Sequence, residues 1–139
     1  MSRLSIQKYK DMKINGAANA NPYELINIVF TSIIGKLTAA KAYIDRNDYE
    51  HKGIMIGESI SLFGALQDSL DMEKGGEISN NLYSLYEFSQ THLVQANVNN
   101  SKEMIDEILE IVKTIKEGWN SIPLDIRNQY LEQQSAVGA

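Results

Sequence analysis

The sequence predicts an all-α protein folded as an antiparallel up-down four-helix bundle, and three observations carry this prediction. Its 139 residues suit one domain. The only two prolines, Pro22 and Pro123, flank one hundred residues without proline, whereas a loop-rich β-protein would need several for its turns. Between them, apolar residues recur every three or four positions in four segments, which is the helical period. Helices of about 20–25 residues joined by short links fold most simply as a bundle.

The bundle is expected to cover residues 21–122, between an N-terminal arm over residues 1–20 and a C-terminal tail over residues 123–139. The arm ends in a run of Asn, Gly and Ala without an apolar period, so we expect it to be mobile. In the tail, LDIRNQYLEQQ is compatible with a short helix through its apolar positions, and the last residues should fray.

The first helix has a strong start signal. Asn21 is a good N-cap, Pro22 suits the first turn, and Glu24 stands three residues after the cap, where it completes a capping box. The helix should end near Arg46-Asn47. Its predicted inward stripe is Ile26, Val29, Phe30, Ile33, Leu37, Ala40 and Ile44.

Asp48 is the expected cap of the second helix, predicted from Tyr49 to about Leu70 and closed by the glycine pair 75–76. Three glycines interrupt it, each at a cost of roughly 1 kcal/mol relative to alanine. We interpret them as sites of close helix packing, with a functional kink as the alternative. The glycines are Gly53, Gly57 and Gly64, and the stripe is Ile56, Ile60, Phe63, Leu66 or Gln67, and Leu70.

The third and fourth helices are predicted over about 77–97 and 101–121. Asn100, with Glu103 three residues later, is the expected capping box of the fourth. The third carries Ile78, Leu82, Leu85, Tyr86 and Leu93, and the fourth carries Ile105, Ile108, Val112, Ile115, Trp119 and Ile122.

The composition excludes several classes of partner. The net charge is −5, and no cluster of Lys and Arg offers the basic surface that nucleic acid or an anionic membrane requires. The N-terminus lacks the apolar run of a signal peptide, and no stretch approaches the ~20 apolar residues of a membrane span. We therefore expect a cytoplasmic protein without membrane insertion. The absence of cysteine removes disulfides and thiolate metal sites.

No motif predicts an enzyme, a metal or another cofactor. Bundle metal sites use Glu-x-x-His pairs, but His51 follows the cap Asp48 by three residues and His92 follows Ser89. The glycine pair at 75–76 lacks the preceding strand and the spacing of a phosphate-binding loop. A carboxylate enzyme that uses the acidic helix faces stays open, and it would require a bound metal.

The helices carry more apolar residues than their inward stripes need. We expect some of these to widen the core and the rest to leave exposed patches of the kind that bind partner helices. The surplus consists of Leu25, Ile28, Ile54, Met55, Leu62, Tyr83, Met104, Leu109 and Ile111. This pattern indicates a protein that binds another protein.

Residues 70–78, LDMEKGGEI, resemble the signature of the FliS family, the cytoplasmic export chaperones of bacterial flagellin. The resemblance continues through Asn81-Leu82, Leu85-Tyr86-Glu87-Phe88, Leu93 and Gln95-Ala96-Asn97. It also includes Ile6 and Tyr9, the start of the first helix, and Gly118-Trp119-Asn120-Ser121-Ile122. The chain departs from the family pattern at Phe30-Thr31-Ser32 and at Ser89-Gln90-Thr91-His92.

The resemblance implies a four-helix bundle that grips the C-terminal segment of flagellin, prevents premature polymerisation and presents its cargo to the flagellar export gate. It also implies that Ile6 and Tyr9 help to hand over the loaded chaperone. The candidate protein-binding residues are Ile6, Tyr9, Leu25, Leu62, Tyr83, Tyr86 and Leu93. The alternative is a helical-bundle scaffold or adaptor without a flagellin client.

Overall fold

Four α-helices make up residues 21–123, the part of the chain that the computed structural model describes. They are α1 (Pro22–Asp45), α2 (Tyr49–Asp68), α3 (Gly76–Asn99) and α4 (Lys102–Asn120). Each helix packs on the next one along the chain, and α4 closes the bundle on α1. The predicted all-α four-helix bundle is therefore confirmed. The predictions for the arm over residues 1–20 and for the tail after Pro123 lie outside the described residues.

The start of α1 is the predicted capping box. The side-chain oxygen of Asn21 accepts a hydrogen bond from the Glu24 backbone N–H at 2.8 Å, and the Glu24 carboxylate accepts one from the Asn21 N–H at 3.4 Å. Both bonds satisfy N–H groups that a helix start otherwise leaves without partners. The helix ends at Asp45, and Asn47 then takes a left-handed conformation with φ of 57°.

The cap of α2 is also as predicted, but its end is not. Asp48 accepts a hydrogen bond from the His51 backbone N–H at 3.2 Å, and a side-chain hydrogen bond from His51 lowers the pKa of the Asp48 carboxyl. The helix stops at Asp68, two residues before the predicted Leu70. Beyond it, the Asp71 carboxylate accepts the N–H groups of Glu73 and Lys74, which holds a separate turn.

The glycine pair 75–76 opens α3 rather than closing α2, so that part of the prediction is wrong. Gly76 is the first residue of α3 and has φ of 52°, which favours glycine. Gly75 is required for a second reason, because a side chain there would collide with the Ser79 side chain and approach the Asp71 carbonyl. The glycines therefore permit the turn between the helices.

The predicted cap of α4 is displaced by one residue. Ser101 caps the helix, accepting the Met104 N–H at 3.1 Å, so the expected capping box of Asn100 and Glu103 is wrong. Asn100 instead ends α3 in a left-handed conformation with φ of 50°. Its side-chain oxygen also accepts a hydrogen bond from the buried Lys52 ammonium at 2.7 Å, which ties α2 to this turn.

The core lies between the predicted stripes and includes residues from all four helices. The stripe of α1 is buried except Ile44, which is partly buried, whereas Ile78 at the start of α3 is 72% exposed and was wrongly assigned to the core. The largest fully buried side chains are Phe30, Phe63, Leu25, Ile33, Leu37, Ile56, Leu66, Leu93, Ile105, Ile108 and Val29.

Helices α1 and α4 are held together at both ends. Near the start of α1, the Tyr23 and Trp119 rings stack with centroids 5.0 Å apart, and each side chain donates a hydrogen bond to the other residue's carbonyl. At the opposite end, Lys102 forms an ion pair with Asp45 at 2.6 Å, and this hydrogen bond raises the pKa of Lys102. These contacts establish that the two helices are antiparallel.

Candidate functional site

Most of the large apolar side chains that remain exposed lie on α3. Five of the described exposed residues belong to this helix, two belong to α2 and one to the turn before α3, whereas α1 and α4 contribute none. Those of α3 are Ile78, Tyr83, Phe88, Val94 and Val98. Because single exposed apolar residues are ordinary, the informative feature is their concentration on one helix.

Part of this surface continues onto α2 and forms what we call the α2–α3 face: Gly53, Ile54, Gly57 and Gly64 of α2 with Tyr83, Val94 and Val98 of α3. On α2, Gly57 follows Gly53 by four residues and Ile54 by three, and Gly64 follows Gly57 by seven. On α3, Val94 follows Tyr83 by eleven residues, about three turns, and Val98 follows Val94 by four, so the positions of each helix lie along one side. The four apolar side chains are 43–71% exposed. The face is therefore apolar, elongated and open to solvent.

The three glycines of this face are not sites of close packing, and the prediction that they were is wrong. A methyl group at Gly57 would meet nothing within 4 Å, and at Gly53 and Gly64 it would meet only side-chain oxygens at 4.0 and 3.7 Å. Helix α2 runs unbroken through all three positions. Gly57 thus leaves the α2 backbone uncovered on this face, whereas Gly53 and Gly64 lie near the Asn97 and Gln90 side chains of α3.

A polar cluster divides the α2–α3 face. The Gln67 amide donates hydrogen bonds to the Glu87 carboxylate at 2.8 Å and to the Tyr83 carbonyl at 3.1 Å. Gln90 donates to the side-chain oxygen of Gln67 at 2.7 Å. The cluster fixes the register of α2 against α3 and separates Tyr83 from the two valines, so that the face offers apolar contacts on both sides of a polar centre.

The sequence-predicted binding residues are divided between surface and interior. Tyr83 is 43% exposed and belongs to the α2–α3 face, but Leu25, Leu62, Tyr86 and Leu93 are buried. These four side chains fill the space between the helices. Burial raises the pKa of the Tyr86 hydroxyl. Their contact with a partner stays a prediction.

Ile6 and Tyr9 lie outside the described residues, and sequence reasoning missed Val94 and Val98. The valines have a readable signal, because they are four residues apart and lie off the stripe that contains Leu93. Ile54 was correctly expected to be surplus to the core, and it is 47% exposed.

The buried serines and the two histidines of the described bundle have partners within it. The buried hydroxyls of Ser59, Ser69 and Ser89 each donate to a carbonyl three or four residues earlier in their own helix, so they have structural partners. Across residues 21–123, no group of three His, Cys, Asp or Glu side chains is placed to hold a metal. His51 is exposed in the first turn of α2, and His92 pairs with Glu107 at 2.6 Å.

Helix α1 meets a length and hydrophobicity test for membrane spans, which the sequence analysis did not predict. By length and composition it is apolar enough to cross a membrane. The core helix of a bundle passes the same test, and α1 packs against both α2 and α4 with an unbroken buried stripe. The hydrophobicity of α1 is thus accounted for by the bundle interior.

Residues 21–123 thus form a helical bundle with an open apolar face, which is typical of proteins that bind partner helices. The family model described as "Flagellar protein FliS" matches residues 5–125, which is most of the chain. The chain therefore belongs to the FliS family, as the resemblance in its sequence predicted.

Named relatives agree with this membership over nearly their whole length. The chain is 34% identical to the flagellar secretion chaperone FliSB of Pseudomonas aeruginosa, over 85% of this chain and 94% of the relative. It is 32% identical to the flagellar secretion chaperone FliS of Vibrio cholerae, over 91% and 93% respectively. The corresponding protein of Salmonella typhimurium is also 32% identical, over 84% and 88%.

Proposed function

We propose that this protein is a cytoplasmic export chaperone that binds the C-terminal segment of flagellin, prevents its premature polymerisation and delivers it to the flagellar type III export apparatus. Support comes from membership of the FliS family and from the names of its relatives, which describe flagellar secretion chaperones. The proposal does not include an enzymatic step.

The observation that carries the proposal is the α2–α3 face. Ile54, Val94 and Val98 expose apolar side chains on the same face as Gly57, where an added methyl group would meet no atom within 4 Å. An incoming helix can therefore approach the α2 backbone more closely there than over larger residues. The polar cluster around Gln67 provides hydrogen-bonding groups that can select the register of the bound segment.

We expect the flagellin segment to be disordered when free and to form helical turns on this face. Coupled folding and binding of this kind buries about 1,000–3,000 Å² and gives a negative heat-capacity change, while ordering the segment costs several kcal/mol. Such a balance gives binding that is specific and releasable, as delivery to an export apparatus requires.

Calorimetry of the full chain against the C-terminal segment of flagellin from the same organism tests the proposal. We expect one-to-one binding with a negative heat-capacity change, and a loss of at least about tenfold in affinity for Val94→Asp, because a charge would be desolvated in the contact. Ile78→Asp is the matched control. It changes an exposed β-branched residue of the same helix away from the α2–α3 face.

Two results would count against the proposal in different ways. No binding at micromolar concentration by a folded protein would favour the alternative, a helical scaffold or adaptor without a flagellin client. If Val94→Asp and Ile78→Asp weaken binding equally, the chaperone function would stand, but the α2–α3 face would not be its binding site. The role of Ile6 and Tyr9 in the hand-over to the export apparatus stays a prediction.

A further inference from the structure

Helix α3 is attached unequally to its two neighbours. It packs closely on α2, whereas α3 and α4 share the least contact of the four adjacent helix pairs in the described bundle. Gln67 of α2 is hydrogen-bonded to Glu87 and Gln90 in the middle of α3. The Lys52 ammonium, also from α2, donates to the Asn97 carbonyl at 2.9 Å near the end of α3. These contacts hold α3 on α2 over much of its length.

The side of α3 that meets α4 carries small residues, and we call this boundary, with Ser89, His92 and Ala96 on α3, the α3–α4 seam. His92 identifies the side, because its Nε2 lies 2.6 Å from the Glu107 carboxylate of α4. Ser89 and Ala96 stand three residues before and four residues after His92, so they lie on the same side, and both are fully buried. Because the free energy of burial grows with apolar area, their small side chains hold the seam closed only weakly.

The polar contact across the seam is the pair of His92 and Glu107, and it lies at the surface of the bundle. The Glu107 side chain is 59% exposed, and the exposed Phe88 ring stacks on His92 at a centroid distance of 5.0 Å. An exposed ion pair adds little to stability, because water screens the charges. By contrast, α1 and α4 are joined by two ion pairs and by the stacked rings of Tyr23 and Trp119.

We propose that the bundle opens at the α3–α4 seam while its other helix boundaries stay closed, and that the pair of His92 and Glu107 is the latch. In this motion α3 stays on α2, so the α2–α3 face remains intact. The opening exposes apolar surface of α4, including Ile111, which lies four residues after Glu107 and is partly buried in the closed bundle. The motion belongs to the bundle itself and is independent of the proposed function.

The sequence contains no cysteine, so a single introduced thiol is the only one in the full chain and can report the opening. Ser89→Cys places a thiol at the seam, and Ser59→Cys is the matched control on α2. Both serines are fully buried, and each hydroxyl donates to the carbonyl four residues earlier. A buried thiol reacts with an aromatic disulfide reagent only when the structure opens around it. In native buffer we expect Ser89→Cys to react at least about tenfold faster than Ser59→Cys.

Adding Glu107→Ala to each cysteine variant tests the latch. It should raise the reaction rate of Ser89→Cys about threefold, which matches the strength of an exposed ion pair, and leave the rate of Ser59→Cys unchanged. Glu110→Ala is the control, because it removes another exposed carboxylate of α4 and leaves the pair of His92 and Glu107 in place.

Ala96→Cys at the seam and Ala40→Cys on α1 repeat the comparison at two fully buried alanines, so the test does not depend on the serine variants alone. Equal rates at the seam and control positions would overturn the proposal, because α3 would then separate only when the whole bundle unfolds. Faster reaction at the control positions would place the opening at another boundary. If Glu107→Ala and Glu110→Ala accelerate the reaction equally, the pair with His92 is not the latch.

Discussion

Helices α1 and α3 have equal lengths, 24 residues each, and use their apolar residues in opposite ways. The buried residues of α1 are all apolar or aromatic, and none of its large hydrophobic side chains is exposed. The buried side of α3 includes Ser79, Ser89 and Ala96, while five large apolar side chains of the same helix face solvent. The comparison predicts that α1 contributes mainly to stability and that α3 provides the surface for a partner.

The largest expected effect is on the stability that α1 provides. Leu37 is fully buried, and Leu37→Ala should lower the free energy of unfolding by about 2–5 kcal/mol, because it removes apolar contacts and leaves a cavity. Val98→Ala, at a site that is 71% exposed on α3, should change it by less than about 0.5 kcal/mol. Urea unfolding of both variants measures the difference. Similar losses would refute the division of roles between the two helices.

A smaller effect separates two tyrosines of α3 that are three residues apart. Tyr83→Ala should weaken binding of the flagellin segment by about 1–2 kcal/mol with little change in Tm, because an exposed aromatic residue contributes more to a partner than to the fold. Tyr86→Ala should instead lower Tm strongly, since its ring packs with Phe63 at a centroid distance of 6.0 Å in the core. A large fall in Tm with unchanged binding for Tyr83→Ala would show that Tyr83 is a structural residue.

The sequence predicts α1 well because its determinants are local. The capping box around Asn21 and the stripe at three- and four-residue spacing need no knowledge of the other helices. Leu25 and Leu62 were counted as surplus to the inward stripes because a single stripe underestimates the buried arc. Each helix packs on two neighbours, so side chains on either side of the stripe are also covered. The width of that arc is a property of the assembled bundle.

The glycines show more clearly that the packing around a residue cannot be predicted from the local sequence. Gly75 is required by the nearby Ser79 side chain, whereas Gly57 has open space where its side chain would be. Both are glycines within or beside a helical pattern, and only the packing of the assembled chain separates a glycine that the fold needs from one that it does not. For this reason the α2–α3 face could not be located from the sequence, although Ile54 and Tyr83 were correctly noted as surplus apolar residues.

The smallest expected effect provides the sharpest test of the α2–α3 face. Gly57→Ala should raise the free energy of unfolding by about 0.5–1 kcal/mol, because alanine favours the helix and its methyl group meets no other atom. The same methyl group projects from α2 into the space that an approaching helix would use, so binding of the flagellin segment should weaken severalfold.

Gly35→Ala on α1 is the matched control for Gly57→Ala. Gly35 is also an exposed helical glycine with nothing within 4 Å of the added carbon, but it does not belong to the α2–α3 face. It should give the same gain in stability with unchanged affinity in calorimetry. If both variants gain stability and neither loses affinity, the flagellin segment does not approach the α2 backbone at Gly57. If only Gly57→Ala loses affinity, the flagellin segment approaches the α2 backbone at Gly57, which explains why this exposed helical position is a glycine.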